Sequence, residues 1–153
     1  MDKPQIVRKM KKIISILSAA ALCLAINTGV QAQCKTFIKN ECKPKLAPYI
    51  YNGQMNSAIL NQGDMAELML TFYSNQDYRI VVCSDGLGDV TFRLLDLQGK
   101  ELFTNADHNY TDTWDFSTNS TQLLTVEVSV PEATSAEDSK SGCVSILVGF
   151  KEK

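Results

Sequence analysis

The chain has 153 residues, with 15 basic and 17 acidic side chains, five cysteines and a single histidine. That length holds one domain with a real core, and a net charge of −2 offers no basic footprint for nucleic-acid phosphates. One histidine also leaves little material for a zinc site or a hydrolytic triad, so catalysis is not expected.

The first stretch reads as an export signal. Arg8, Lys9, Lys11 and Lys12 make a basic region, Ile13–Ile26 is an uncharged and mostly apolar run, and Val30-Gln31-Ala32 supplies small residues for cleavage before Gln33. Met10 is an equally good start for that signal. The run is short for a membrane span of about twenty residues. Residues before Cys23 and Cys34 are Leu22 and Gln33, where a lipidation signal wants a small side chain. Residues 1–32 are thus expected to be a signal peptide that delivers a secreted chain to the periplasm, cell surface or medium, with no membrane span in the mature protein. Without it, ten basic and sixteen acidic residues remain, a net of −6. Lys35, Lys39, Lys43 and Lys45 cluster early, as a solvated segment.

Residues 33–51 form an N-terminal segment. Lys35–Glu41 suits a turn of helix ended by Pro44, and Pro48 argues against a central strand. Asn52-Gly53 is a turn signal that opens the main domain, residues 52–153. Gln54–Leu60 reads as a first strand, and Asn61-Gln62-Gly63-Asp64 turns the chain into Ala66–Tyr73. There, and in Tyr78–Cys83 and Val90–Leu95, one alternate set is large and apolar: Leu68, Leu70, Phe72; Tyr78, Ile80, Val82; Val90, Phe92, Leu94. Such alternation between turn signals marks strands with one face buried and one wet. Asp96-Leu97-Gln98-Gly99 reverses the chain into Lys100–Phe103. After a polar stretch, Trp114–Ser117 resumes alternation with Trp114 and Phe116 in phase, as core filling. Leu124–Val130 alternates most cleanly, stopped by Pro131, and after a hydrophilic loop Cys143–Phe150 closes the domain.

About eight strands and almost no helix predict an all-β fold, an antiparallel β-sandwich of jelly-roll or Greek-key type, with a short disulfide-stapled N-terminal segment. Gly53–Leu60, the strand after Gly63-Asp64, Asp77-Tyr78-Arg79-Ile80, the run Phe92–Lys100 and the pair Leu124–Val130 and Val144–Phe150 come in an order that resembles the bacterial pre-peptidase C-terminal domains. The resemblance spans Asn52–Phe150. It implies a secreted β-sandwich of the kind appended to exported enzymes, a class of domain of which some bind calcium or matrix polymers; here no attached enzyme is expected, four cysteines are added, and the glycine usual before the penultimate strand is missing.

Those four, Cys34, Cys42, Cys83 and Cys143, are an even set in an exported chain and predict two disulfides. Cys83 and Cys143 both fall on the strand face opposite the apolar set. If their strands pair antiparallel, they share one end of one outer face. The expected pairing is therefore Cys83–Cys143, with Cys34–Cys42 as a local staple. No C-x-x-C knuckle points to metal instead.

Among polar residues, Asp107, Asp112 and Asp115, with Asn105 and Asn109, gather hard oxygens that could take calcium, without the EF-hand spacing; a turn rich in Asn and Asp for backbone reasons is the preferred reading. Asp85 and Asp89 have the same two readings. His108 reads as a solvated loop histidine. Glu67 and Glu127 lie on outward strand faces with nothing to mark either as a buried acid for glycoside hydrolysis. Tyr73 and Tyr110 are the best exposed aromatics for a ligand. The functional expectation is a non-catalytic module that binds a protein or a cell-envelope component. The alternative is a calcium-assisted carbohydrate-binding module; no other cofactor is expected.

Overall fold

The structure, a computed structural model, describes residues 29–152. The expected signal therefore lies, over residues 1–28, outside the described residues. The chain divides after Lys35 into two units, the second Thr36–Lys153. A helix, α1 (Gly29–Phe37), runs on into a π-helical turn at Ile38–Cys42 and a 3-10 turn at Lys43–Leu46. Pro44 does not end the helical path. It stands at the start of the 3-10 turn, where a missing N–H leaves no bond unmade. The chain leaves helical geometry at Ala47, whose peptide bond to Pro48 is cis.

Among the described residues nine strands follow: β1 (Ile50–Tyr51), β2 (Asn56–Asn61), β3 (Met65–Phe72), β4 (Gln76–Ser84), β5 (Thr91–Leu95), β6 (Glu101–Thr104), β7 (Thr113–Thr118), β8 (Gln122–Ser129) and β9 (Ser141–Glu152). All pairings are antiparallel, and the strands form two sheets. In the first, β1 and β2 pair one after the other along β9, which pairs with β4, which pairs with β7. The second runs β3-β8-β5-β6. The fold is the expected antiparallel β-sandwich. Its tight turns follow from their side chains. Asp96, for example, accepts from the N–H groups of Gln98 and Lys100, each at 2.9 Å, while Gly99 takes φ +76°.

Phe72, Tyr78, Ile80, Val82, Phe92, Leu94, Val126, Val128, Val144 and Ile146 fill the space between the sheets. Each such side chain stabilises the fold by about 1.5–3 kcal/mol relative to exposure. Phe72 meets Tyr78 and Phe116 edge-on, with centroids 4.9 and 5.1 Å apart.

The first sheet is covered on its outer face as well. Val81, Cys83, Cys143, Ser145, Leu147 and Gly149 point away from the sandwich, yet all are buried, because the turns at Ile38–Leu46 lie across β4 and β9. Ile38, Cys42 and Leu46 are no more than 2% exposed. Arg79 fastens this cover. Its Nη1 donates to the carbonyls of Lys45 (3.1 Å) and Ala47 (2.7 Å), and its Nε and Nη2 hold both oxygens of Asp115 at 2.7 Å. The Tyr49 ring lies under both Arg79 and Lys151, 4.7 and 4.4 Å from its centroid.

The disulfide pattern differs from the expected one. Cys34 is bonded to Cys143, and Cys42 and Cys83 are thiols. Neither Cys83–Cys143 nor Cys34–Cys42 forms. Cys83 and Cys143 do share the outer face at one end of adjacent strands. The register, however, sets Cys83 opposite Ser145 and leaves the Cys143 carbonyl to Asp85 N–H (2.9 Å). Cys34 and Cys42 are eight residues apart on a continuous helical path. That is about 12 Å of rise, beyond a disulfide's reach.

The second sheet leaves its outer face open, with Met65 and Met69 exposed. Glu127, expected to be solvated, is buried there at 7% exposure and held by Arg93, whose Nε donates to Oε1 at 2.8 Å. Its register partner Glu67 is exposed.

Candidate functional site

Four connections meet at one end of the sandwich, because the strands they join end there in register. Asn61 pairs with Ser141, Ser84 with Val144, Thr91 with Ser129, and Val82 N–H reaches the Asp112 carbonyl at 2.8 Å. These connections are residues 62–64, 85–90, 105–112 and 130–140. They carry Asp64, Asp85, Asp89, Asp107, Asp112, Glu132, Glu137 and Asp138 against one lysine, Lys140. The opposite end, at 73–75, 96–100 and 119–121, carries only Asp96 and Lys100. The net negative charge of the chain is thus concentrated at one end. Among the described residues no salt bridge engages Asp85, Asp89 or Asp107.

The loop end is internally wired. Asn105, 1% exposed, accepts from Phe92 N–H (2.8 Å) and donates to the carbonyls of Val90 (3.0 Å) and Thr111 (3.1 Å). One amide thus ties both ends of the 105–112 connection to the start of β5. Asn109 and Tyr110 take left-handed φ values of 53° and 52°. Leu87, at 1% exposure, plugs the 85–90 loop into the core.

Between these loops and the cover lies a pocket of about 260 Å³, lined by Phe37, Glu41, Lys45, Cys83, Asp89, Asn105, Tyr110 and Asp112 among others. Lys45 reaches across from the cover to pair with Asp112. That bond raises the lysine above its ordinary value. Cys83 stands at the pocket wall, and behind it the buried Cys42 is its strongest neighbour. The Cys42 thiol holds Cys83 below the usual thiol value despite burial, with the Lys45 charge helping; the same contact and burial push Cys42 up.

The two expected ligand-binding tyrosines are separated. Tyr110 is 46% exposed at the acidic end, and Tyr73, 61% exposed, is at the other. The three expected calcium ligands are not brought together either. Asp107 sits in the 3-10 turn Asn105–His108, Asp112 pairs with Lys45, and Asp115 faces Arg79 on the outer side of the first sheet. Arg79 holds Asp115 below the usual carboxylate range. Among the described residues no group of three His, Cys, Asp or Glu side chains is placed to hold a metal. His108 is exposed, but its ring stacks on Phe103 at 5.1 Å and lies 5.3 Å from Trp114, which itself stacks on Phe103 at 3.9 Å.

Sequence reasoning missed Lys45 and the Cys42–Cys83 contact, and it counted Asn105 among possible calcium oxygens where the structure makes it a clamp on backbone. Asn105 follows a strand and looks like any turn asparagine. Lys45 looks like a solvated charge, and the cysteine contact depends on the cover.

No family model and no curated protein matches the chain. Among the described residues no helix is long and apolar enough to cross a membrane. Seven chains of known structure match it. One of them is Aeromonas hydrophila PliG, a periplasmic lysozyme inhibitor of g-type lysozyme, to which the chain is similar at 12% identity and a TM-score of 0.48, over 68% of this chain and 89% of that one.

Proposed function

We propose that the chain is an exported, non-catalytic module that docks a protein partner through its acidic loop end. The observation that carries this is the segregation of charge. Eight carboxylates crowd four connections at one end, against a single lysine, and two of those connections are locked to the core by Asn105 and Leu87. A preformed surface of one sign favours a partner of the other, speeding encounter and rejecting like-charged competitors. The partner is therefore a protein with a cationic face.

Two features support binding over chemistry. The pocket's lysine is engaged by Asp112, and the histidine ring is occupied with Phe103 and Trp114. Tyr73 and Tyr110 stand at opposite ends, so they do not make one sugar-stacking platform.

The test compares the exported protein with the variant Asp85→Lys/Asp89→Lys/Asp107→Lys, all three positions exposed. Each is immobilised and exposed to a panel of soluble proteins, cationic and anionic, a g-type lysozyme among them, and to an envelope extract. Retention of basic proteins by the parent, weakening with salt and lost in the variant, is the expected result. Equal retention by both proteins removes the loop end from the interaction.

A further inference from the structure

We infer that Cys42 and Cys83 are a second cross-link site, a dithiol that closes to a disulfide and pins the N-terminal cover to strand β4. Three observations converge on it. The outer face of β4 that bears Cys83 lies under the 38–42 turn that bears Cys42, and each thiol is the strongest influence on the other. Both residues are buried, at 0% and 4% exposure. Finally, the chain already holds the Cys34–Cys143 disulfide, which belongs to a compartment where such bonds persist.

The chemistry balances with a disulfide as oxidant, either a small one such as oxidised glutathione or that of an exchange protein. Cys83 is the entering nucleophile. It lines the 260 Å³ pocket and lies within the field of Lys45, while Cys42 sits behind it. The Cys83 thiolate attacks one sulfur of the oxidant, forming a mixed disulfide and releasing one thiolate. The Cys42 thiol then loses its proton to water, and its thiolate attacks the Cys83 sulfur. The new S–S bond forms as the second thiolate leaves. Two thiols of the chain are oxidised, one disulfide is reduced to two thiols, and no other redox partner is needed. The closed loop would run from residue 42 to residue 83 and enclose the 3-10 turn Lys43–Leu46, β1, β2, β3 and most of β4.

The test starts from the exported protein, treated with oxidised glutathione, denatured, alkylated and digested without reduction. The expected digest contains a peptide carrying Cys42 joined to one carrying Cys83, with neither position alkylated, beside the Cys34–Cys143 pair. Oxidation should also raise the melting temperature by on the order of 10 °C over protein whose Cys42 and Cys83 are thiols, as expected for a loop of this length. Cys42→Ser should leave Cys83 alkylated after the same treatment or capped by glutathione, and should abolish the rise. Should that variant not fold, the digest of the parent protein decides by itself. Full alkylation of both cysteines, a persistent glutathione cap on Cys83 in the parent protein, or either cysteine joined to Cys34 or Cys143 would each overturn the assignment.

Discussion

Gly149→Ala tests the cover over the first sheet, and its sign alone is diagnostic. A Cβ added at Gly149 would stand 2.7 Å from the Tyr49 Cβ, 3.2 Å from Leu46 Cδ2 and 3.4 Å from the Ile50 carbonyl oxygen. The first contact is short of ordinary carbon packing by more than 0.5 Å, roughly the scale at which a well-packed site must move. The Tyr49 Cβ is fixed to its backbone and its ring is held by Arg79 and Lys151, so it cannot swing aside. The cover must shift, or Leu46 must lose part of its seat. Overpacking of this kind costs about 1–3 kcal/mol, and about 2 kcal/mol is expected here. In a domain of this size that lowers the melting temperature by about 6–10 °C. Were the outer face open, the same change would replace a strand glycine by alanine with no clash and stabilise by up to about 1 kcal/mol. Differential scanning calorimetry at pH 7 separates the two. An unchanged or raised melting temperature refutes the packing of Leu46 and Tyr49 on β9.

Asn105→Ala removes three hydrogen bonds to buried backbone, so a loss of about 2–4 kcal/mol in urea unfolding is expected, with hydrogen exchange rising over residues 105–112. Arg93→Met leaves the Glu127 carboxylate buried without its cation. It should cost about 2 kcal/mol, discounted because Arg93 is partly exposed, and the double change Arg93→Met/Glu127→Leu should recover most of it. Asp115 is depressed by Arg79. Its contribution is therefore complete above the unfolded value of about 3.9 and is lost as pH falls through the lower folded value. Acid unfolding of the parent should be steeper below pH 4 than that of Asp115→Asn. The difference should be small, under about 1 kcal/mol, because the pair is partly exposed.

The strands were legible where one face is wet. In β8, Leu124, Val126 and Val128 alternate with Thr125, Glu127 and Ser129, and pattern, turn residues and Pro131 all agree. The double burial of β4 and β9 was written in the sequence too, but in a different signal. Ile80-Val81-Val82-Cys83 and Val144-Ser145-Ile146-Leu147-Val148 are nearly continuous apolar runs, as strands covered on both sides should be. That second face is covered by the N-terminal turns and not by solvent, so the cysteines on it meet the N-terminal segment instead of each other. Glu127 was unreadable for a related reason, since only the pairing of β5 with β8 brings Arg93 beside it. The loop-end pocket joins residues from position 37 to position 112. No local pattern announces such a site; the acidic bias of the separate loops was the one trace available.

Hydrogen exchange with and without a partner protein retained by the acidic end puts the docking surface to its most direct test. Amides in 85–90 and 105–112 should gain protection in the complex, while those of β3 and the outer face of the second sheet stay unchanged. Protection confined to β3, with the loop end exchanging as in the unbound chain, would contradict docking through the carboxylates.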